Sequence, residues 1–292
     1  MSTPVRRSPK SISRKPKPIK GKRSSKKNKS TISLWIKLIF VMVTLVLLSP
    51  WYYGYVLNGF VSTWRWVRDI GEDPNYRTYR SFEIKIPKGY TLHGIDVSYY
   101  QGKIDWTKVS AMEEDDVKID FAFIKATEGL LRIDPYFNRN WREAPKANII
   151  CGAYHFFRPQ KDGEAQAKFF LQVVNMEKGD LPPVIDIETL DGVSKTKMRA
   201  ELFKFLDYVE MKTGVKPIIY TGLAFYRDNL AGYVDDYSLW IAHYYQPNLN
   251  LDKQLWQFWQ HSDKAKIDGI GHVVDFNVFN GDSLALENLR IR

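Results

Sequence analysis

The run Pro182-Pro-Val-Ile-Asp186-Ile-Glu188 sets two carboxyl groups two residues apart in an otherwise apolar stretch. On a strand, side chains alternate, so Asp186 and Glu188 share a face. Two acids at the end of a buried strand are costly unless paired, hydrated or used. Like charge and partial desolvation both push one of the two pKa values up. One protonated acid beside one carboxylate is the arrangement that glycoside hydrolysis needs. Two further acids sit in similar places: Asp96 in His93-Gly-Ile-Asp96-Val-Ser98, and Asp275 in Val273-Val-Asp275-Phe-Asn277. A single Asp at such a place is as readily a helix cap or loop anchor; the Asp186–Glu188 pair is much harder to read that way.

The elements that must hold these acids are short β-branched and aromatic runs at 92–97, 119–126, 149–157, 183–188, 217–221, 238–243, 255–261 and 271–276. Helical segments lie between the early ones, at 137–147, 162–177, 194–212 and 222–231. The clearest is 194–212, where Ser194 is a plausible N-cap, Met198, Leu202, Phe205, Leu206 and Val209 recur at helical spacing, and Gly214 supplies the stop. Alternating strand and helix predicts a parallel sheet with right-handed crossovers. The last two links, 244–254 and 262–270, are too short or too rich in Pro and Asn for an ordinary helical crossover. The arithmetic favours an eight-stranded TIM-like barrel, with helices on the first part and short links on the last. An open doubly wound sheet is the runner-up, but neither GxGxxG nor GxxxxGK[ST] is present. In a barrel, active sites sit at the C-terminal ends of the strands. The first and last strands are then neighbours, which brings Asp96 and Asp275 close.

Charge is distributed unevenly. The chain has 292 residues with 43 Lys+Arg and 33 Asp+Glu, but 13 of the basic residues lie in 1–37, where there is no acid. The high net charge therefore belongs to a tail, which argues against a folded nucleic-acid-binding face. Residues 1–35 read as a disordered basic tail. An uncharged, largely apolar run follows. Residues 36–57 are long enough for one N-terminal transmembrane helix, with Trp51, Tyr52, Tyr53 and Tyr55 at the far interface. The basic block puts the N-terminus in the cytoplasm and all that follows outside it, periplasmic or at the cell surface. The competing reading, a cleaved signal peptide, lacks a small-residue cleavage site after Leu48. Residues 58–87 read as a stalk and 88–292 as one domain, expected to be monomeric.

Other chemistries are poorly served. The five His form neither HExxH nor HxH, so no metal site or cofactor is expected. No GxSxG elbow appears. The lone Cys151 sits in an apolar run and excludes a disulfide framework. Lys125 follows the second strand and could pair with an acid inside a barrel. Aromatics near the strand ends are core by default, yet a subset at one mouth would suit stacking on sugar faces. Tyr220 and Trp259 are candidates for such contacts, with Lys125 and Asn277 as polar ones.

Seven segments, in order, resemble the motifs of family 25 glycoside hydrolases, the N-acetylmuramidase-type lysozymes. They are His93-Gly-Ile-Asp-Val-Ser98, Phe123-Ile-Lys-Ala-Thr-Glu-Gly129, Gly152-Ala-Tyr-His-Phe156, Ile185-Asp-Ile-Glu188, Leu239-Trp-Ile-Ala242, Trp259-Gln260 and Val274-Asp-Phe-Asn-Val-Phe-Asn-Gly281. The resemblance implies a modified barrel of five βα units followed by three strands, (β/α)5(β)3. It implies cleavage of the β-1,4 bond between N-acetylmuramic acid and N-acetylglucosamine in peptidoglycan. By the same carry-over Glu188 is the general acid, and Asp186 steadies the substrate's 2-acetamido group or the oxocarbenium-like transition state. Asp96 and Asp275 bind sugar hydroxyls and set the field around Glu188, while Tyr154 and Trp240 line the saccharide groove. Either a carboxylate or the acetamido carbonyl can be the nucleophile in this chemistry. One departure is His261, where the family often has Tyr after the Trp-Gln pair; it puts a subsite contact in question. The alternative function is a catalytically silent barrel that binds wall glycans as a scaffold.

Overall fold

The computed structural model describes residues 35–46 and 73–292. The chain divides into two compact units, 1–68 and 69–292. In the first, residues 35–46 form a helix whose apolar side chains, among them Trp35, Ile39 and Phe40, are exposed. Among the described residues no helix is long and apolar enough to cross a membrane. The expected span 36–57 runs past this helix into residues outside the described ones, as do residues 1–34 of the basic tail and the first half of the stalk.

The second unit is a closed eight-stranded barrel. Its strands are β1 (His93–Val97), β2 (Phe121–Glu128), β3 (Ile150–Phe156), β4 (Val184–Asp186), β5 (Ile218–Gly222), β6 (Ser238–Ala242), β7 (Trp256–Ala265) and β8 (Val274–Phe279). They are hydrogen-bonded in sequence order, and β8 closes onto β1. Helices α1 (Trp106–Ala111), α2 (Phe137–Glu143), α3 (Gly163–Val173), α4 (Lys195–Thr213) and α5 (Leu223–Phe225, continued by a π turn at Tyr226–Leu230) follow the first five strands. The last three carry none until α6 (Ser283–Leu289) ends the domain. All eight strands and the four helices expected from the pattern are present. The sheet is not wholly parallel: β8 runs antiparallel to both β7 and β1. A link of eight residues between β7 and β8 can only turn back, which reverses the last strand.

Local chemistry explains the elements. The Ser194 hydroxyl accepts from Lys197 N at 3.2 Å, and Gly214 ends α4 in the left-handed region at φ +71°. The five apolar residues of α4 read from the sequence are all fully buried against the barrel wall. Inside the barrel the lower layers are dry, built from Phe121, Phe123, Val184, Ile218, Phe258 and Phe279. Glycine makes room for them: a Cβ on Gly94 would lie 2.4 Å from the Phe121 ring, and one on Gly152 would lie 2.7 Å from Phe123.

The stalk reading needs correction. Residues Tyr76–Tyr79 and Ile84–Pro87 form an antiparallel hairpin. Its Phe82 is fully buried, with its ring 5.5 Å from Phe276, and Phe82 O accepts from Lys266 N at 3.0 Å. The domain therefore begins before Tyr76 and not at 88. The alternation Ile84-Lys-Ile86 is a half-buried edge pattern, too short to stand out without the wall that it covers.

Candidate active site

The site forms where β-strand alternation aims side chains up into the barrel mouth. Asp186 ends β4, and Ile187 N still bonds Tyr220 O at 3.0 Å, so the extended backbone persists one residue further. Ile187 is buried on the outer side of the wall, and Glu188 turns to the mouth, where its side chain is open to solvent. Asp186 is buried, and its Oδ1 takes no hydrogen bond from the described residues. Asp96 and Asp275 face each other as cross-strand partners of β1 and β8, as expected from the closure.

Asp96 is the best-held of the four. Its Oδ2 accepts from Gln260 Nε2 at 2.7 Å and from Asn277 Nδ2 at 2.8 Å. Gln260 Oε1 in turn accepts from the hydroxyls of Tyr220 and Tyr244, both at 2.7 Å. Asn277 Oδ1 accepts from Trp240 Nε1 at 2.8 Å. This chain of donors fixes the amide orientations and leaves Asp96's other oxygen toward the mouth.

The electrostatics follow from crowding acids into a low-dielectric pocket. Burial raises the Asp96 pKa to about 6, with Asn277 and Gln260 holding it down and Glu188 adding to the rise. Asp186 is pushed well above the carboxylate range by burial and then by Glu188. The walls around Glu188 raise its pKa too, opposed by the Tyr220 hydroxyl and by Lys125 and Arg158. Asp275 is pushed up furthest of the pair across β1 and β8, by burial and then by Asp96. The negative charge of Asp96 beside Asp275 favours the protonated form of Asp275.

A cleft of ≈ 400 Å³ opens over the β1–β8 half of the mouth, lined by Asp96, Ser98, Tyr100, Gln101, Tyr154, Asp263, His272 and Asp275. Tyr154 lines this cleft and lies within reach of the charges of Asp96, Asp186 and Asp275. Tyr220 is buried beside it and works through its hydroxyl on Gln260. Trp240 does not line a groove. It is 1 % exposed and stacks on Phe123 at 4.3 Å, so it is the floor that steadies Asn277. Asn277 is likewise buried and reaches the site through Asp96.

Trp259 is misplaced by the sequence reading. Phe258 and Gln260 point into the barrel, so Trp259 must point out. It is fully buried on the outer wall against Tyr90 and Trp256, donating to His243 O at 2.8 Å. His261 is also buried, beside Phe276 and Trp259, so the departure from the family's Tyr lies outside the groove. Lys125 does pair with an acid, Glu128, at 3.2 Å. The reading missed Gln260 and Tyr244 as the link to Asp96. It also missed Glu128, Arg132 and Arg158 as a charged rim on the β2–β3 side. Alternation along β7 was the available signal for Gln260; nothing local marked the rim.

A barrel whose mouth gathers four carboxyl groups with raised pKa values, two of them lining a cleft, fits a carboxylate-based hydrolase. The model for "Glycosyl hydrolases family 25" matches residues 95–270. YegX of Escherichia coli O6:H1 (strain CFT073) is 46% identical over 240 residues, covering 82% of this chain and 87% of that one. Lysozyme M1 of Streptomyces globisporus is 34% identical over 215 residues, covering 68% of this chain and 71% of that one. The solved structure of a family 25 glycosyl hydrolase from Bacillus anthracis superposes with a TM-score of 0.64 at 31% identity, covering 75% of this chain and 99% of that one. The chain belongs to glycoside hydrolase family 25.

Proposed function

We propose that this protein is a muramidase that cleaves the β-1,4 bond between N-acetylmuramic acid and N-acetylglucosamine in peptidoglycan. The observation that carries the reading is the pair on β4: Glu188, solvent-open with a raised pKa, beside buried Asp186 on the same face. Glu188, protonated, gives its proton to the glycosidic oxygen as the bond to the muramyl anomeric carbon breaks. Asp186 Oδ1 takes no donor from the described residues and accepts from the substrate's acetamido N–H, steadying the developing positive charge. Asp96, held by Gln260 and Asn277, and Asp275 take sugar hydroxyls in the cleft. Water completes hydrolysis, and Glu188, now ionised, takes back a proton. The glycan-binding scaffold is the weaker reading, because all four acids are present and mutually placed.

The proposal extends to location. The apolar run 36–57 would anchor the chain in a membrane with residues 1–35 cytoplasmic, leaving the barrel outside to remodel or lyse the wall. Support comes from the basic, acid-free segment before the run and the apolar surface of helix 35–46. The test of activity compares the full chain with Glu188→Gln on purified peptidoglycan by identifying new reducing ends. Muramic-acid ends from the unaltered chain alone support the assignment; cleavage by both names the wrong acid. Reporter fusions at residues 30 and 70 test topology separately, and phosphatase activity only at residue 30 would reverse it.

A further inference from the structure

The two halves of the mouth differ in their charged groups, with basic side chains on one of them only. The β1–β8 half presents Asp96, Asp263 and Asp275. The β2–β3 half presents Lys125, Arg132 and Arg158 around Glu128. Lys125 Nζ lies 3.2 Å from Glu128, Arg132 Nη1 lies 3.1 Å away and Arg158 Nη2 lies 2.6 Å away. Asp191 adds a second acid to Arg158 at 3.4 Å. Three cations thus share two acids. Lys125 is nearly buried, and its Nζ and the Arg158 guanidinium each lie 4.7 Å from the centroid of the Phe156 ring. That packing fixes Arg158's fork, whose side chain is 36 % exposed, and leaves Arg132 as the excess charge at 72 %.

Arg132 is placed by the fold. Gly129, at φ +57°, turns the chain at the end of β2, and Arg132–Ile133 then pairs back on Thr127–Glu128. The flap stands at the rim, next to the Lys125–Arg158 pair whose field reaches Glu188. This charge is not needed to neutralise Glu128, since Lys125 already does so from inside.

We infer that Arg132 and Arg158 form a carboxylate-reading subsite that selects the muramyl residue by its anionic substituent. This rests on the muramidase reading. In a glycan alternating two N-acetylated sugars, only the muramyl unit carries negative charge, on its lactyl group or on the peptide attached there. Arg158 bonds Glu128 through Nε and Nη2 and Asp191 through Nη1, so it orients the rim, while Arg132 meets Glu128 through Nη1 and can turn its remaining donors to a ligand carboxylate. The cleft on the β1–β8 half is lined by no Lys or Arg, so a carboxylate finds its partner on one side of the mouth only, which sets the direction in which the strand lies across Glu188.

The experiment uses the full chain in detergent on four substrates: peptide-bearing glycan strands, strands stripped of peptide by an amidase, and each after methylamidation of its carboxyl groups. The expected result is that Arg132→Ala raises KM about tenfold on charged strands and changes it less than twofold on methylamidated ones, a tenfold change being the loss of one charge-assisted contact. Arg158→Lys, which keeps the charge and loses the fork, should do the same more weakly. A loss confined to peptide-bearing strands assigns the stem carboxylates, a loss confined to stripped strands assigns the lactyl carboxylate that the amidase frees, and a loss on both assigns whichever carboxylate the substituent ends in. Equal changes on charged and methylamidated strands would overturn the subsite. Absence of muramic-acid reducing ends from every substrate with the unaltered chain would instead overturn the muramidase reading beneath it.

Discussion

The two ends of the barrel interior are built from the same alternating strands and do opposite work. The lower end is dry and aromatic: Phe258 meets Phe121 at 5.2 Å, Phe123 at 5.0 Å and Phe279 at 5.0 Å. Such edge-to-face packing stabilises the fold beyond the area that it buries. The upper end holds four acids, two amides and the tyrosines 154, 220 and 244 in a pocket that costs stability to ionise. One end of each strand contributes folding energy; the other uses part of it to keep carboxyl groups in a poor solvent. Their proximity lets the stable end hold the strained end in register.

Changes at each end should therefore separate. Replacing Glu188 by Gln should lower turnover by about 10²–10⁴-fold, the usual contribution of a general acid, with no loss of thermal stability. Phe258→Ala should do the reverse, lowering unfolding free energy by about 3–5 kcal/mol in denaturant titrations. Its remaining folded fraction should keep near-normal turnover per molecule.

The pH dependence sharpens the contrast. Asp96 and Asp275 have folded pKa values raised to about 6 and about 9, so the folded state binds more protons than the unfolded one. Their stabilisation is complete near the unfolded carboxylate pKa and is lost as pH rises through that window. Buried His93 and His155, lowered to about 4, and His261, lowered to about 3, work the other way and cost stability as pH falls below the free imidazole range. Urea midpoints should thus decline from pH 6 to 9, and Asp275→Asn should flatten that decline; an unchanged slope would refute this account of Asp275. Activity should fall in the alkaline direction as Glu188 ionises, with a limb lying above the pKa of a free carboxylic acid.

The smallest effects discriminate the two tryptophans. Trp240→Phe removes the donor to Asn277, and Trp259→Phe removes the donor to His243 O. Each should cost about 1 kcal/mol of stability. Only the first should lower turnover, because only Trp240 steadies the amide that holds Asp96.

Residue order alone determined a good deal. Strand and helix periods placed all eight barrel strands and α4 with its caps, because those patterns are local. The two-residue spacing of Asp186 and Glu188 put both on one face, and loop lengths excluded helices late in the barrel. Closure decided the rest. Gln260 and Asn277 meet Asp96 across 164 and 181 residues of sequence. Trp240 lies under the site and Trp259 outside the wall, though both read as strand-end aromatics. The hairpin gains its burial against the β7–β8 wall, and Arg132 gains its place by folding back on β2. Period fixes which side of a strand a residue takes; which sides meet, and at which height, is set when the eighth strand pairs with the first.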